Sequence, residues 1–285
     1  MTDTADLIAR AASLLDRLEA LLPPAAAEPD WGAPAFRWRR RAGRGWLAPI
    51  PHPHRIALAD LLCVEPQKAE IRRNTRQFLR GRSANNLLLW GSRGTGKSSL
   101  IKAVFNELRD QGLRLIEVDK ADLVDLPDIL ELVRYRTERF IVFCDDLSFE
   151  ASESGYTALK AALEGSLSAP PDKVLVYATS NRRHLLPELQ SENRETRVVD
   201  GEIHPGESVE EKVSLSDRFG LWLSFHPFSQ AQYLEIVRHW LARLGAPAVD
   251  PEVEQAALRW ALRRGSRSGR TAWQFARDWA GREDG

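Results

Sequence analysis

Apolar residues recur at helical spacing over residues 4–22, where Leu7, Ile8, Ala11, Leu14, Leu15, Leu18 and Leu21 are interleaved with charged positions. That pattern predicts an amphipathic helix, which either packs on the protein's own body or docks a partner. Pro23, Pro24 and Pro29 then stop it and mark a linker. From Ile56 the rhythm becomes that of a folded domain. A helix is predicted over 66–80, with Ile71, Thr75, Phe78 and Leu79 along one side, and the apolar run Leu87-Leu88-Leu89-Trp90 reads as a strand. Leu100, Ile101, Val104, Phe105 and Leu108 form the stripe of a helix ending near Gly112, a residue suited to a left-handed cap. Strands at 113–118, 140–144, 174–178 and 221–225 alternate with helices at 126–133 and 156–167, the signature of a parallel sheet covered on both faces. Residues 191–214 are polar and of mixed charge, and read as an excursion from the sheet. Beyond Pro227 the period is purely helical, with starts at Ser229, at Asp250-Pro251 and near Thr271. This C-terminal part is expected to form a helical lid.

The chemistry is concentrated at strand ends. Gly91-Ser92-Arg93-Gly94-Thr95-Gly96-Lys97-Ser98 satisfies every fixed position of the phosphate-binding P-loop, between a predicted strand and a helix opening at Ser98-Ser99. Glycines allow positive φ and remove side chains that block phosphate oxygens, and backbone N–H groups at the helix start face the anion. Lys97 would reach the β- and γ-phosphates, and the Ser98 hydroxyl would ligate Mg²⁺. Asp145 and Asp146 close the 140–144 strand, where open α/β sheets place ligand chemistry. The first could hold Mg²⁺ and the second orient or deprotonate water. Asn181 follows the next strand and could position that water, with Thr179 or Ser180 as substitutes. Apolar residues at 61–64 are a candidate pocket for the base.

Composition narrows the partners. Forty basic and forty acidic side chains cancel, so no whole-protein field draws the chain to nucleic acid or membrane. The exception is local: Arg37, Arg39, Arg40, Arg41 and Arg44, with Trp38 and Trp46 among them, could hold phosphates and stack on bases. The alternative is a solvated arginine face whose tryptophans anchor it to the core. His52 and His54 flank Pro53 without a third metal ligand nearby. Cys63 and Cys144 lack metal or disulfide spacing and read as reduced, packed thiols. With neither a signal peptide nor a membrane-spanning run, the expectation is a soluble, cytoplasmic protein with no membrane contact.

Together, five strands with a P-loop after the first, paired acids after the third, Asn181 after the fourth, Arg218 before the fifth and a helical lid resemble the AAA+ ATPases. The wording Phe-Cys-Asp-Asp-Leu-Ser-Phe-Glu, Tyr-Ala-Thr-Ser-Asn-Arg-Arg-His and Leu-Ser-Asp-Arg-Phe-Gly is similar, more narrowly, to the bacterial ATPase family called domain of unknown function 815. The resemblance covers residue 61 to the C-terminus. It implies a three-layer P-loop NTPase sandwich with a parallel five-stranded sheet in the order 5-1-4-3-2, and ATP and Mg²⁺ as ligands. By matching positions, it makes Lys97 and Ser98 the Walker A residues, Asp145 the magnesium aspartate and Asn181 the water sensor. Asp146 stands where many relatives have glutamate. Arg218 matches an arginine that reaches a neighbouring subunit's γ-phosphate, which implies a homo-oligomer when ATP is bound. Arg270 fits the lid sensor, with Arg267 the competing position. The organisation expected is an N-terminal extension at 1–59, a nucleotide-binding domain at 60–227 and a lid at 228–285. The expected function is ATP hydrolysis coupled to remodelling or loading of a macromolecular partner. A P-loop kinase, a nucleotide-controlled binding switch and a nucleic-acid handling ATPase are the alternatives.

Overall fold

A computed structural model describes residues 8, 10, 28–41, 43–149, 154–164, 172–183, 185, 197–199, 202–204, 217–246 and 250–282. Of the predicted N-terminal helix only Ile8 and Arg10 fall within these, both helical and exposed; the rest of it and the proline linker at 23–27 lie outside the described residues.

The strands are β1 (Ala35–Arg41), β2 (Arg44–Ile50), β3 (Leu87–Gly91), β4 (Leu113–Val118), β5 (Arg139–Cys144), β6 (Val174–Ser180), β7 (Arg197–Val199), β8 (Glu202–His204) and β9 (Leu221–Phe225). The helices are α1 (Glu65–Leu79), α2 (Lys97–Leu108), α3 (Leu126–Val133), α4 (Ser154–Glu164), α5 (Gln230–Arg243), α6 (Pro251–Arg264) and α7 (Gly269–Ala280). The main sheet runs β2-β1-β4-β5-β6-β3-β9. Its last five members, read from β9 to β4, are the predicted order 5-1-4-3-2, all parallel.

The five-stranded expectation falls short at the other edge. Residues assigned to a basic extension form a hairpin, β1 pairing antiparallel with β2 and, over Ala35 to Arg37, parallel with β4. Phe36 and Trp38 project to one side and are buried. The indole N–H of Trp38 donates to Asp125 at 3.0 Å, and Arg37 is paired with Glu117. Of the two sequence readings, anchoring therefore holds for Trp38, which is too enclosed to stack on a base. The polar stretch at 191–214 also contains β7 and β8, a short antiparallel ladder whose β-branched Val198, Val199 and Ile203 suit a strand; its other residues lie outside the described residues.

Leu87, Leu88 and Leu89 are fully enclosed because the sheet is covered on both faces. One core joins the sheet to α1, α2 and the lid through residues such as Phe78, Phe105, Phe225, Tyr233 and Phe275. The other joins it to α3 and α4 through Phe140, Val142, Leu126, Ile129 and Leu159. The resulting three layers, with the lid on the α1–α2 side, bring the C-terminal ends of β3, β5 and β6 to one rim. No helix among the described residues is long and apolar enough to cross a membrane.

Candidate functional site

The turn between β3 and α2 adopts positive φ at all three motif glycines: 125° at Gly91, 74° at Gly94 and 100° at Gly96. Their missing side chains serve different neighbours. A Cβ on Gly91 would lie 2.0 Å from the Phe225 carbonyl oxygen, and one on Gly94 would lie 2.7 Å from the Ser268 hydroxyl of the lid. A Cβ on Gly96 would meet only Leu61, at an ordinary contact distance of 3.8 Å. The first two glycines thus seat the turn against β9 and the lid, and the third leaves the mouth of the turn clear. Thr95 is buried and pins the turn by donating to the Ser92 carbonyl at 2.7 Å. Arg93 stays exposed, while Ser92 and Ser99 are half-buried.

Lys97 opens α2 and is buried, its ammonium donating to the carbonyls of Gly91 at 2.7 Å and Ser92 at 2.8 Å and to Asn181 Oδ1 at 3.1 Å. Burial pulls its pKa below the ordinary lysine value, and the nearby Asp146 and Asp145 carboxylates push it back up. Ser98, one residue on, donates its hydroxyl to Asp145 Oδ1 at 2.5 Å. The same oxygen receives the Thr179 hydroxyl at 2.5 Å, and Thr179 Oγ1 in turn accepts the Asp146 N–H at 2.9 Å. One buried hydroxyl therefore orients both acids. Asp146 itself takes a positive φ of 52°, uncommon for aspartate, and its carboxylate accepts from the Asn181 amide.

Asn181 lies between Lys97 and Asp146, whereas Thr179 and Ser180, at the end of β6, are engaged with Asp145 and with the Leu147 carbonyl. Ser180 donates to the Leu147 carbonyl at 2.8 Å and is structural. The bridging role of Thr179 was missed because it needs the β5–β6 register, in which Cys144 faces Ala178.

Arg93 to Ser99, Asp145, Asp146, Thr179 and Asn181 line one cleft of about 880 Å³, whereas Gly91, Ser92 and Ser180 do not. Leu61, Leu62 and Val64 form one flank of it, as the sequence suggested for a base pocket, and Ile236, Trp240 and Trp273 of the lid face them. Arg270 of α7 also lines the cleft, whereas Arg267 and Arg218 are not among its lining residues. The lid meets the glycine turn directly, since the Arg270 N–H donates to the Gly94 carbonyl at 3.2 Å. Asp60 is held by two residues of α5, His239 at 3.2 Å and Arg243 at 3.4 Å. His52 and His54 belong to no group of three or more potential metal-binding His, Cys, Asp or Glu side chains among the described residues. Cys144 is buried and its thiol is pushed up to about 12 by that burial; Cys63 is raised to about 11 by burial and then by Glu235.

A glycine turn between a buried strand and a helix, acids on the strand two places along and a lid over the rim define a P-loop NTPase fold of the AAA+ kind. The chain belongs to the family described as a protein of unknown function, DUF815, whose model matches residues 32–283. Among solved structures it is similar to a RuvB variant of Thermotoga maritima, with a TM-score of 0.51 and 16% identity over 78% of this chain and 63% of that one. It is also similar to the Aeropyrum pernix Orc1 protein in complex with DNA, with a TM-score of 0.54 and 17% identity over 76% of this chain and 59% of that one. The chain spans less than two thirds of both. At such identities the likeness is one of fold. No curated protein matches the sequence.

Proposed function

We infer that the chain binds ATP with Mg²⁺ and hydrolyses its β–γ bond, as an oligomer that acts on a macromolecular partner. The observation that carries this reading is the convergence of the glycine turn, Lys97, Ser98, Asp145, Asp146 and Asn181 on one cleft closed by Arg270. The residues fit the ligands. Gly96 caps α2 without a side chain, leaving first-turn N–H groups for phosphate oxygens, and Ser98 and Asp145 present adjoining oxygens suited to a hard cation. Mg²⁺, when bound, would neutralise charge on the β- and γ-phosphates.

Lys97 exchanges its carbonyl partners for phosphate oxygens, Asp146 accepts the proton of the attacking water and Asn181 aligns that water with the γ-phosphorus. ADP departs as its β-phosphate oxygen takes the bonding pair. Arg270 holds the γ-phosphate from the lid. Arg218, which lies outside its own chain's cleft, serves a neighbour's site and would there contribute about 10³–10⁵ in rate.

Calorimetry with ATP and Mg²⁺, alongside phosphate release, tests the reading. Lys97→Ala is expected to abolish uptake, and Asp146→Asn to keep uptake while losing turnover. Folded wild type that takes up no purine nucleoside triphosphate refutes it. A binding switch is favoured by one feature, the capture of the short Asp146 side chain by Asn181, and uptake without turnover in wild type would select it. Nucleic acid is the candidate partner: Orc1 was solved with DNA, and Arg39, Arg41 and Arg44 stay exposed on the hairpin. Unchanged DNA and RNA affinity at low salt in R39Q/R41Q/R44Q would remove that partner.

A further inference from the structure

The sheet's opposite rim holds a second hollow. There β1 and β4 begin, β2 ends, and the chain leaving α2 passes through the single turn Arg109–Gln111 before Gly112. The cavity measures about 510 Å³, within the roughly 300–1,000 Å³ typical of ligand pockets. Its walls are stiff, since Pro34, Pro51 and Pro53 have fixed φ.

Arg55, Arg109 and Arg114 line this hollow with His52, against the single carboxylate of Asp110. That carboxylate offers little compensation: it is 89% exposed and lies 3.7 Å from Arg109 Nε. Arg114 gives one N–H to the Leu113 carbonyl at 3.3 Å, while its buried Nε has no hydrogen-bond partner among the described residues. Elsewhere arginines are closely matched, as in Arg37–Glu117, Arg72–Glu107, Arg136–Glu138 and Arg238–Glu254. A basic residue beside the end of α2 could merely complement the helix dipole, but that accounts for Arg109 alone. Arg55 lies on the segment after β2 and Arg114 on β4, so neither belongs to the last turn of a helix.

Guanidinium groups around one hollow repel each other until an anion enters. Their forked donors match the oxygens of phosphate better than a single carboxylate, because several can be engaged at once. We propose that this hollow binds a phosphate group of a second anionic ligand, separate from the nucleotide cleft. The phosphate belongs either to a free phosphorylated molecule or to the backbone of a single-stranded nucleic acid. Its occupation would be felt in the nucleotide cleft, because Arg55 lines both cavities and the intervening segment is fastened to α2 by Asn106, which donates to the carbonyls of His54 and Ile56.

The test uses the full chain carrying Lys97→Ala, so that the glycine turn contributes little, with and without Arg109→Gln and Arg114→Gln. Calorimetric titration with pyrophosphate and anisotropy of a short labelled single-stranded DNA are run at low salt. Loss of at least about tenfold in affinity for either probe on adding the arginine substitutions supports the proposal. Loss for pyrophosphate alone identifies a free phosphorylated ligand, and loss for DNA identifies a nucleic-acid backbone. Unchanged affinity for both probes, or no affinity for either before the arginines are replaced, overturns it. Should the double substitution lower the melting temperature sharply, Arg109→Gln alone, at a residue that lines the second hollow and not the nucleotide cleft, replaces it under the same criterion. Failure of the ATP reading would show separately, as wild-type ATP uptake that Lys97→Ala leaves unchanged.

Discussion

Replacing Gly91 by alanine separates the packing role of the glycine turn from its role toward a ligand. The new Cβ would meet Phe225 at 2.0 Å from the oxygen, 2.9 Å from the carbon and 3.0 Å from the nitrogen, all backbone atoms that cannot rotate away. To regain ordinary contact, β3 and β9 must part by over an ångström. That movement takes the Ser92 N–H off the Phe225 carbonyl, a 3.0 Å bond in the present geometry. Losing a buried hydrogen bond costs about 1–3 kcal/mol, and holding alanine at a φ of 125° costs about 1–3 kcal/mol more. A total of about 2–6 kcal/mol corresponds to a fall in melting temperature of order 10 °C for a chain of this size. Gly96→Ala incurs similar strain at φ 100° but meets only Leu61 at 3.8 Å, so about 1–3 kcal/mol is expected. Gly94→Ala falls between, because Ser268 at 2.7 Å is a side chain yet also caps α7. Urea and thermal unfolding of the three variants without nucleotide gives the ranking Gly91 worst, then Gly94, then Gly96. Equal stabilities for Gly91→Ala and Gly96→Ala would refute the claim that β9 is the reason for the first glycine.

Thr179→Val keeps shape but removes the hydroxyl that joins the two acids; on the proposed function it raises the Mg²⁺ concentration for half-maximal turnover about tenfold, while Thr179→Ser stays within about twofold. Direct Mn²⁺ binding in the presence of nucleotide should move in parallel, and a serine variant as impaired as valine would show that packing matters rather than the bridge. Glu138 tests linkage away from the cleft. The Arg136 guanidinium, donating at 2.7 Å, holds its carboxyl down at about 2, so its stabilising contribution is complete above the ordinary glutamate range and is lost as pH falls toward 2. The stability gap between wild type and Glu138→Gln, measured by urea unfolding, should therefore close between pH 5 and pH 2, and a gap independent of pH would contradict the pairing.

The five central strands were legible because each is a run of apolar residues enclosed on both faces, a pattern that needs no knowledge of partners. The hairpin was not. Arginines at 37, 39, 40 and 41 mask the period-two signal of Phe36 and Trp38, and the acids that accommodate two of them, Glu117 and Asp125, lie about eighty residues away. The glycine turn was legible as contiguous sequence, and Asp145, Asp146 and Asn181 as the polar ends of strands. Contacts that depend on strand register or lid placement left no local trace, which is why the Thr179 bridge and the hold of His239 and Arg243 on Asp60 emerge only in three dimensions.

On the proposed function, those unforeseen contacts are what would couple a phosphate to the rest of the molecule. Lys97 cannot engage a triphosphate while all three of its donors are spent on Gly91, Ser92 and Asn181. Its transfer to phosphate frees the Asn181 carbonyl, and the amide of that same side chain grips Asp146. The lysine, the asparagine and the acid must therefore adjust together. The lid is drawn in by two independent ties, the Gly94 carbonyl at the start of α7 and Asp60 on α5, while Trp240 against Trp273 at 4.5 Å keeps the two helices in register. On this reading a shift in the glycine turn would reach α7 directly and α5 through the tilted contact of the two indoles. The segment carrying Asp60 also carries Arg55, which lines both cavities, and Asn106 ties it to α2, so on the proposed function a displacement of that segment would be felt at both rims.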